Sequence, residues 1–546
     1  MDGTEATYKK LMKEFFDAAG ADNMTPAELT KLCSDWYEGI RGNWNGYTTF
    51  YQPAVSDAST GTKGGDNASL TCAPSTDTVA GQDDYAGLPL FAPTDVNWQI
   101  DATTLEPIIT GIDGITSSFE RDNPNKLVGV MQMTGWHWRD EEEQTFVEGY
   151  SEQYQSDHDY CEPMPEGVKA SDNTMRQFML HTKYQGHMVG SDMRAYAGVT
   201  PTAWQSHNSL QTNCKHNGSQ YGGGSVLLQS FLILMTRIKY ASLTLDGIIQ
   251  GCLNYNYQYV AAHGETGVKR VLLTAAQAAN IEEGSTVLIG ILNAAKSKDR
   301  NTAANYSITG QNGAVVTSKE VVTVDGTDYT AINVDVSEAF NTSGSGADAE
   351  GATLISTFHW HTGTCDAVLG NDGSIKNLTN AKFPAKLQGI EFINGSYEVF
   401  GDVILKVNPP SAGHEHGTYT AHVVNRSANQ ATSVTANYKD TGIVYDKVGT
   451  AAWNYIKLMG FGDGVYVPEI GGGSSTKCTK DAFYEQADVT TEALREWRAF
   501  ASLYYGSGSG GLSCVLGPSA VSSAYWTFGG RLSACANRGV WGVSPQ

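Results

Sequence analysis

The last fifty residues constrain the fold and the function more than any other part of the chain. Residues 497–546 are rich in Gly, Ser, Tyr and Trp and contain no Lys or Glu. Tyr and Trp provide large, rigid contact area, while Ser and Gly adapt to varied partners, and binding loops combine these residue types. Catalytic segments are richer in titratable groups. We therefore expect a C-terminal recognition surface.

Composition and charge exclude several classes of protein. The net charge of −22 argues against nucleic acid or an anionic membrane as a partner, because both require basic patches. The apolar run Val226–Met235 is interrupted by Gln and Ser and is too short to span a bilayer, so it predicts a buried helix and no membrane insertion. Charged residues at 17% and 60 glycines favour a β-rich, loop-rich body.

The N-terminus and the cysteines predict synthesis in a reducing cytoplasm. The N-terminus lacks the apolar core of a signal peptide. The nine cysteines are scattered, odd in number and without a CxxC pair, so they form no disulfide framework. The final working place is left open by these features.

The pattern along the chain predicts an α+β fold in five segments. Residues 1–45 are expected to form two helices, the second opened by a capping box at Thr25–Glu28, and to serve either as an attachment device or simply as packing against the body. Gly, Ser, Thr and Asp dominate 46–84, which predicts a linker. Residues 85–266 and 348–546 are expected to form one body, and the strand-like, Asp-Gly-containing segment 267–347 is predicted to be an inserted β-module.

Four separated blocks carry a resemblance that covers about residues 85–546. They are Ser206–Asn208 with the glycines and helix that follow it, Leu387–Asp402, the stretch from Asn454 to Tyr484, and Gly529–Ser533. In this order they resemble phage and prophage structural proteins with a C-type-lectin fold, whose relatives include tropism determinants diversified by retroelements. The helices at 1–45 and the β-module lie outside the resemblance.

The resemblance implies a virion protein borne on a tail, fibre or capsid, with two helices on a scaffold of short twisted strands. It implies a homotrimer that contacts other virion proteins and binds a host cell-surface glycan or protein without an enzyme activity or cofactor. Gly529, Gly530, Arg531 and Leu532 would be framework. The implied ligand-binding residues are Tyr504, Tyr505, Ser507, Ser509, Ser513, Ser523, Tyr525, Trp526 and Phe528.

Tyr525 and Trp526 are the strongest candidates for contact with a ligand. They lie among Gly and Ser, and adjacent residues of a strand cannot both face inward, so one of the two is expected to be exposed. Replacing both with Ala is expected to weaken host binding with little loss of stability.

Other chemistry is also represented in the sequence. His359 with His361, and His414 with His416, would share a metal only if further ligands completed the site, and we predict no metal. The acidic runs Glu141–Glu143 and Asp157–Asp159 leave a glycan-active enzyme as one alternative. A purely architectural capsid or tail component is the other. Ser206 and His207 are adjacent and do not predict a nucleophile and its base.

Overall fold

The computed structural model describes residues 4–169, 171–500 and 510–533. About 15% of the chain is helix and 34% is strand, and most of the strands lie in antiparallel sheets, so the fold is α+β. No helix in this described part is long and apolar enough to cross a membrane.

The described residues up to Tyr240 contain four α-helices and eleven strands. The strands form a five-stranded sheet of order β2-β1-β7-β6-β8, a four-stranded sheet of order β4-β3-β5-β9 and the hairpin β10-β11. The elements are α1 (Glu5–Ala19), α2 (Pro26–Ile40), β1 (Asn45–Tyr51), β2 (Thr62–Gly65), β3 (Thr94–Ile100), β4 (Pro107–Ile112), β5 (Val128–Met133), β6 (Trp136–Glu141), β7 (Thr145–Ser151), β8 (Tyr160–Pro163), β9 (Phe178–Thr182), β10 (His187–Val189), β11 (Asp192–Arg194), α3 (His207–Lys215) and α4 (Val226–Tyr240).

Helix α4 is the predicted buried helix, and residues 226–239 are all buried. Its N-cap Ser225 accepts a hydrogen bond from the Leu228 N–H, which satisfies one of the free donors at the helix start. Helix α4 packs against β1, β7, β21 (Tyr397–Asn408) and the hairpin strand β26 (Val465–Ile470), so it joins the two halves of the body.

Helices α1 and α2 pack directly on the body. The capping box between Thr25 and Glu28 is present, as predicted. Tyr8, Phe16 and Trp36 belong to the same buried apolar cluster as the central strands. Of the two possibilities left open by the sequence, packing against the body is therefore realised; a role in attachment stays a prediction.

The prediction of a linker at 46–84 is wrong, because these residues include paired strands of the body. Strand β1 pairs with β7 over seven residues and with β2 on its other edge. Glycines in both strands lie where a side chain would not fit. A Cβ on Gly64 would lie 2.3 Å from the Tyr47 ring, and one on Gly46 would lie 2.5 Å from the Trp44 ring. Glycine was required there by tertiary crowding, which composition alone cannot distinguish from flexibility.

The middle of the chain forms a six-stranded antiparallel sheet of order β12-β17-β14-β15-β16-β13. It has a separate apolar cluster that includes Val271, Ile289 and Ile332. Two of its strands lie outside 267–347, so the sheet is wider than the predicted module. Its elements, together called the β-module, are β12 (Gln258–Val260), β13 (Arg270–Leu273), α5 (Ala275–Ala278), β14 (Thr286–Ile291), β15 (Ala314–Val324), β16 (Thr327–Val334) and β17 (Thr353–Thr357).

The last part of the chain is built around a long mixed sheet. Its strand order is β23-β22-β21-β28-β29-β27-β24, and the final strand β30 pairs in parallel with β21. The elements are β18 (Gly373–Ser374), β19 (Ala385–Leu387), β20 (Ile390–Phe392), β21, β22 (Thr418–Val424), β23 (Tyr438–Asp446), β24 (Trp453–Tyr455), β25 (Leu458–Gly462), β26, β27 (Ala482–Tyr484), β28 (Ala493–Ala499), β29 (Val515–Leu516) and β30 (Phe528–Gly529).

Candidate functional site

Main-chain hydrogen bonds fix the C-terminal segment against upstream parts of the body. The Tyr525 carbonyl accepts from the Trp204 N–H at 3.1 Å and from the Phe528 N–H at 2.9 Å. The Thr527 carbonyl accepts from the Tyr397 N–H at 2.7 Å. These bonds use backbone atoms only, so the bonds themselves can form whichever side chain stands at position 525.

Arg531 anchors the end of this segment in the core. Its guanidinium forms a two-pronged ion pair with Glu398, with both N···O distances 2.5 Å, and donates to the Thr182 and Glu391 carbonyls at 2.9 Å. Arg531 is 1% exposed and Glu398 is 0% exposed. A buried carboxylate and guanidinium are tolerated because each compensates the other's lost hydration. Arg531 therefore has a structural position, consistent with the framework role the resemblance implies.

The nine predicted ligand residues have different surroundings. Tyr504, Tyr505, Ser507 and Ser509 lie outside the described residues. Ser513 is buried, and Ser523 is half-buried. Tyr525 is 46% exposed, whereas Trp526 is 4% and Phe528 is 3% exposed. The expectation that one of Tyr525 and Trp526 faces outward is confirmed.

Trp526 is a buried structural residue, which corrects its assignment as a freely replaceable contact. Its ring centre lies 4.1 Å from the Arg300 guanidinium, and the main-chain N–H of the same residue donates to Asn301 Oδ1 at 3.0 Å. It also belongs to an apolar cluster with Phe358 and Trp360. The expectation that replacing Tyr525 and Trp526 together would spare folding is therefore not supported by its surroundings.

A cavity of about 360 Å³ lies beside the exposed face of Tyr525. It brings together residues from the C-terminal segment, β21, β27, β28 and the loop between β14 and β15. The residues that line it are Asp299, Asn301, Tyr397, Tyr484, Arg498, Leu516, Pro518, Ser519, Tyr525, Trp526, Thr527 and Phe528.

The cationic group of this cavity is covered by its neighbours. Arg498 is 3% exposed, and its guanidinium lies 4.0 Å from the centre of the Phe528 ring. It donates to Ser519 Oγ at 2.7 Å and lies 3.3 Å from a Glu496 carboxylate oxygen. Burial raises the pKa of Glu496 to about 8, and the neighbouring Arg498 opposes that rise. By contrast, Asp299, which also lines the cavity, is exposed.

No protein-family model matches this chain, and no curated protein matches it significantly.

Sequence reasoning found the C-terminal wall of the cavity and missed the rest. Asp299, Tyr484 and Arg498 come from three separate regions of the chain, and nothing in their local sequence marks them as neighbours. Tyr397 lies within the block Leu387–Asp402, and the parallel pairing of Tyr397 with Phe528 explains why that block and the C-terminus belong to one site.

The first histidine pair is divided between the core and a partly exposed position. His359 is 0% exposed, and burial lowers its pKa to about 3, helped by the nearby Arg300 charge. Its ring stacks on Phe358 with a centroid distance of 4.2 Å. His361 is less buried, and burial lowers its pKa too. Both imidazoles are therefore held in the neutral form.

Each histidine of the second pair lies beside a different carboxylate. His414 Nδ1 lies 3.1 Å from Asp446 Oδ1, and His416 Nδ1 lies 3.1 Å from Asp488 Oδ2. Each imidazole therefore has its own carboxylate partner at Nδ1.

Within residues 4–169, 171–500 and 510–533, one group of three metal-ligand side chains lies close together: Cys72, Asp83 and Asp372. The Lys239 ammonium lies 3.1 Å from Asp83 and 2.7 Å from Asp372; Lys239 and Asp372 are buried, and Asp83 is half-buried. It supplies the positive charge that these carboxylates require, so a divalent cation would have to displace it.

The acidic runs lie closer together than their sequence spacing indicates. Strands β6 and β8 pair, which brings the Glu141 N–H to 3.3 Å from Asp159 Oδ2. His158 Nδ1 lies 2.7 Å from Asp140 Oδ2 in the same cluster. Asp159 thus accepts from the backbone, Asp140 contacts an imidazole, and Glu141 pairs with Arg139.

Ser206 and His207 have separate structural roles. Ser206 caps α3 by accepting from the Ser209 N–H. His207 Nδ1 lies 2.9 Å from the Phe400 carbonyl, and burial lowers the pKa of the imidazole. The two side chains do not face each other as a nucleophile and a base would.

Proposed function

We propose that this chain is a phage or prophage virion structural protein that binds a host cell-surface receptor through the cavity beside Tyr525. The single observation that supports this most is an exposed aromatic side chain on a backbone held by main-chain hydrogen bonds, beside a cavity with both aromatic and polar walls. Exposed Tyr next to a pocket is typical of the residues that dominate binding energy at interfaces.

The proposed body is C-type-lectin-like and carries its ligand face near the C-terminus. Three features support it: the ordered blocks of the resemblance, the short strands that α3 and α4 accompany, and the return of the last strand to pair with β21. We further propose a homotrimer, because several identical faces on one particle multiply a weak single-site affinity.

Adsorption to bacterial cells tests the proposal. Tyr525→Ala in the full-length protein should weaken adsorption to a panel of candidate hosts by about tenfold or more, because a truncated aromatic anchor typically costs that much. Tyr51→Ala is the matched control, since Tyr51 is 54% exposed on β1, outside the lining of the cavity. Equal adsorption by the two variants would contradict the proposal. Wild-type protein that assembles into particles but binds no strain would favour the architectural alternative.

A further inference from the structure

The β-module contributes a wall to the cavity. Between β14 and β15 the chain leaves the sheet, and residues 297–306 of this connection approach the C-terminal segment. Asp299 and Asn301 line the cavity together with Tyr525 and Phe528. A segment outside the resemblance thus shares a site with residues inside it.

This wall is held rigidly. Arg300 is 2% exposed, and its guanidinium donates to Asn256 Oδ1 at 2.7 Å and to the Tyr257 carbonyl at 3.2 Å. Asn305 Nδ2 donates to the Asp299 carbonyl at 2.7 Å. The Asp299 Oδ1 in turn accepts from the Asn301 N–H at 2.9 Å, which closes a tight turn at the edge of the cavity.

The wall and the C-terminal segment also position one another. The Trp526 ring lies against the Arg300 guanidinium, and the Trp526 main-chain N–H donates to Asn301 Oδ1. Cation–π contacts are strongest where both groups are removed from water, as they are here. A change in the wall would therefore alter the shape of the cavity as well as its charge.

The charges around the cavity favour one class of ligand. The exposed charge at its rim is the Asp299 carboxylate, while the Arg498 guanidinium is covered by Phe528, Ser519 and Glu496. A carboxylate accepts hydrogen bonds from hydroxyl groups and repels anions. The net charge of −22 adds to that repulsion at long range. The exposed Tyr525 ring and the half-buried Tyr484 ring, together with such an acceptor, suit the apolar faces and hydroxyl groups of a sugar.

We infer that residues 297–306 of the β-module form a specificity-determining wall, and that the ligand is an uncharged, hydroxyl-rich oligosaccharide. This inference rests on the proposed receptor-binding function, because it concerns the same cavity. Asp299 acts in it as the acceptor that selects neutral over acidic glycans.

Asp299→Asn isolates the charge of this wall. The amide keeps an oxygen that can accept from the Asn301 N–H, so the turn is preserved. The matched control is Asp325→Asn, the same charge change in the β15–β16 turn, where Asp325 is exposed with φ 49°, a conformation that Asn tolerates.

The measurement is binding of full-length wild type and variants to an array of neutral hexose and N-acetylhexosamine oligosaccharides and their uronic-acid- or sialic-acid-bearing counterparts. Wild type should prefer the neutral set. Asp299→Asn should lower that preference about tenfold, because it weakens the hydroxyl acceptor and removes the repulsion of anions. Asp325→Asn should match wild type.

The outcomes separate the inference from the proposed function. If Tyr525→Ala abolishes adsorption to cells but Asp299→Asn leaves the glycan preference unchanged, the inference is wrong and the function stands. The same conclusion follows if wild type binds cells but prefers acidic glycans, or binds no glycan on the array, which would indicate a protein receptor. If Tyr525→Ala leaves adsorption to cells unchanged, the proposed function fails as well.

Discussion

Tyr525 and Trp526 are neighbours in the chain with opposite surroundings. The sequence predicts that one of the two faces outward on the premise that they lie on a strand. In the structure both precede β30 and lie outside any strand, and one of the two is still exposed. The sequence does not say which one, since the choice depends on Arg300 and Asn301, which belong to the β-module. At the scale of single residues, the presence of an exposed aromatic residue here was predictable, whereas its position and the partners of the buried one were not.

Trp526→Ala is expected to lower the free energy of unfolding by about 3–5 kcal/mol, the usual cost of removing a large buried aromatic side chain. Tyr525→Ala is the adjacent control and should lower it by clearly less, because Tyr525 is 46% exposed. Urea denaturation followed by intrinsic fluorescence measures both. Equal decreases in the free energy of unfolding for the two variants would contradict a larger contribution to stability from the buried Trp526 ring than from Tyr525.

The Gly-rich segment before β29 is an example at the scale of elements. Composition predicts an adaptable binding loop there, and its described part is ordered around a buried carboxylate. The Ser513 N–H donates to Asp481 Oδ2 at 2.7 Å, and a Cβ on Gly511 would lie 2.0 Å from Asp481 Oδ1. Gly511 is therefore required by a close approach that only the folded chain reveals.

Asp481 should make stability depend on pH. Burial raises the pKa of Asp481 to about 7, while the Ser513 N–H lowers it; Asp246 adds to the rise and Lys480 opposes it. Because the folded pKa exceeds the unfolded value of about 4, the folded state binds more protons between those two pH values. The contribution of Asp481 to stability is fully present below about pH 4, falls by about 1.4 kcal/mol per pH unit and levels off above about pH 7.

Asp481→Asn tests this dependence, since the amide oxygen can still accept from Ser513 but does not titrate. The free energy of unfolding of the variant, minus that of wild type, should rise between pH 4 and pH 7 and stay constant from pH 7 to pH 8. Urea denaturation at unit pH steps measures it. Parallel pH curves for the two proteins would contradict the buried, protonated state of Asp481.

At the scale of the whole molecule, the fold class and local motifs could be predicted from the sequence, whereas contacts between distant parts of the chain could not. The α+β class and the capping box followed from composition and local pattern, because both are local properties. The linker at 46–84 was wrong because its glycines pack against Tyr47 and Trp44. No local pattern reports which ring a glycine will contact.

The N-terminal helices should unfold together with the body. Phe16 is 0% exposed within the shared core, and the adjacent Phe15 is 36% exposed. Phe16→Ala should lower the free energy of unfolding of the whole body by about 3–5 kcal/mol, and Phe15→Ala should lower it by clearly less. Calorimetry with circular dichroism and fluorescence as parallel probes measures this. A separate early loss of helix in Phe16→Ala, with the main transition unchanged, would show that the helices fold independently.

The double acceptance at the Tyr525 carbonyl has a consequence for how such a protein can change its ligand. The Trp204 and Phe528 N–H groups hold the chain at this point through the Tyr525 carbonyl. The side chain at position 525 takes no part in these two bonds. Proteins that differ from this one only at position 525 would share one backbone and present different chemistry to the same cavity. Recognition at this position can therefore be altered one residue at a time without the fold having to be repaired after each change.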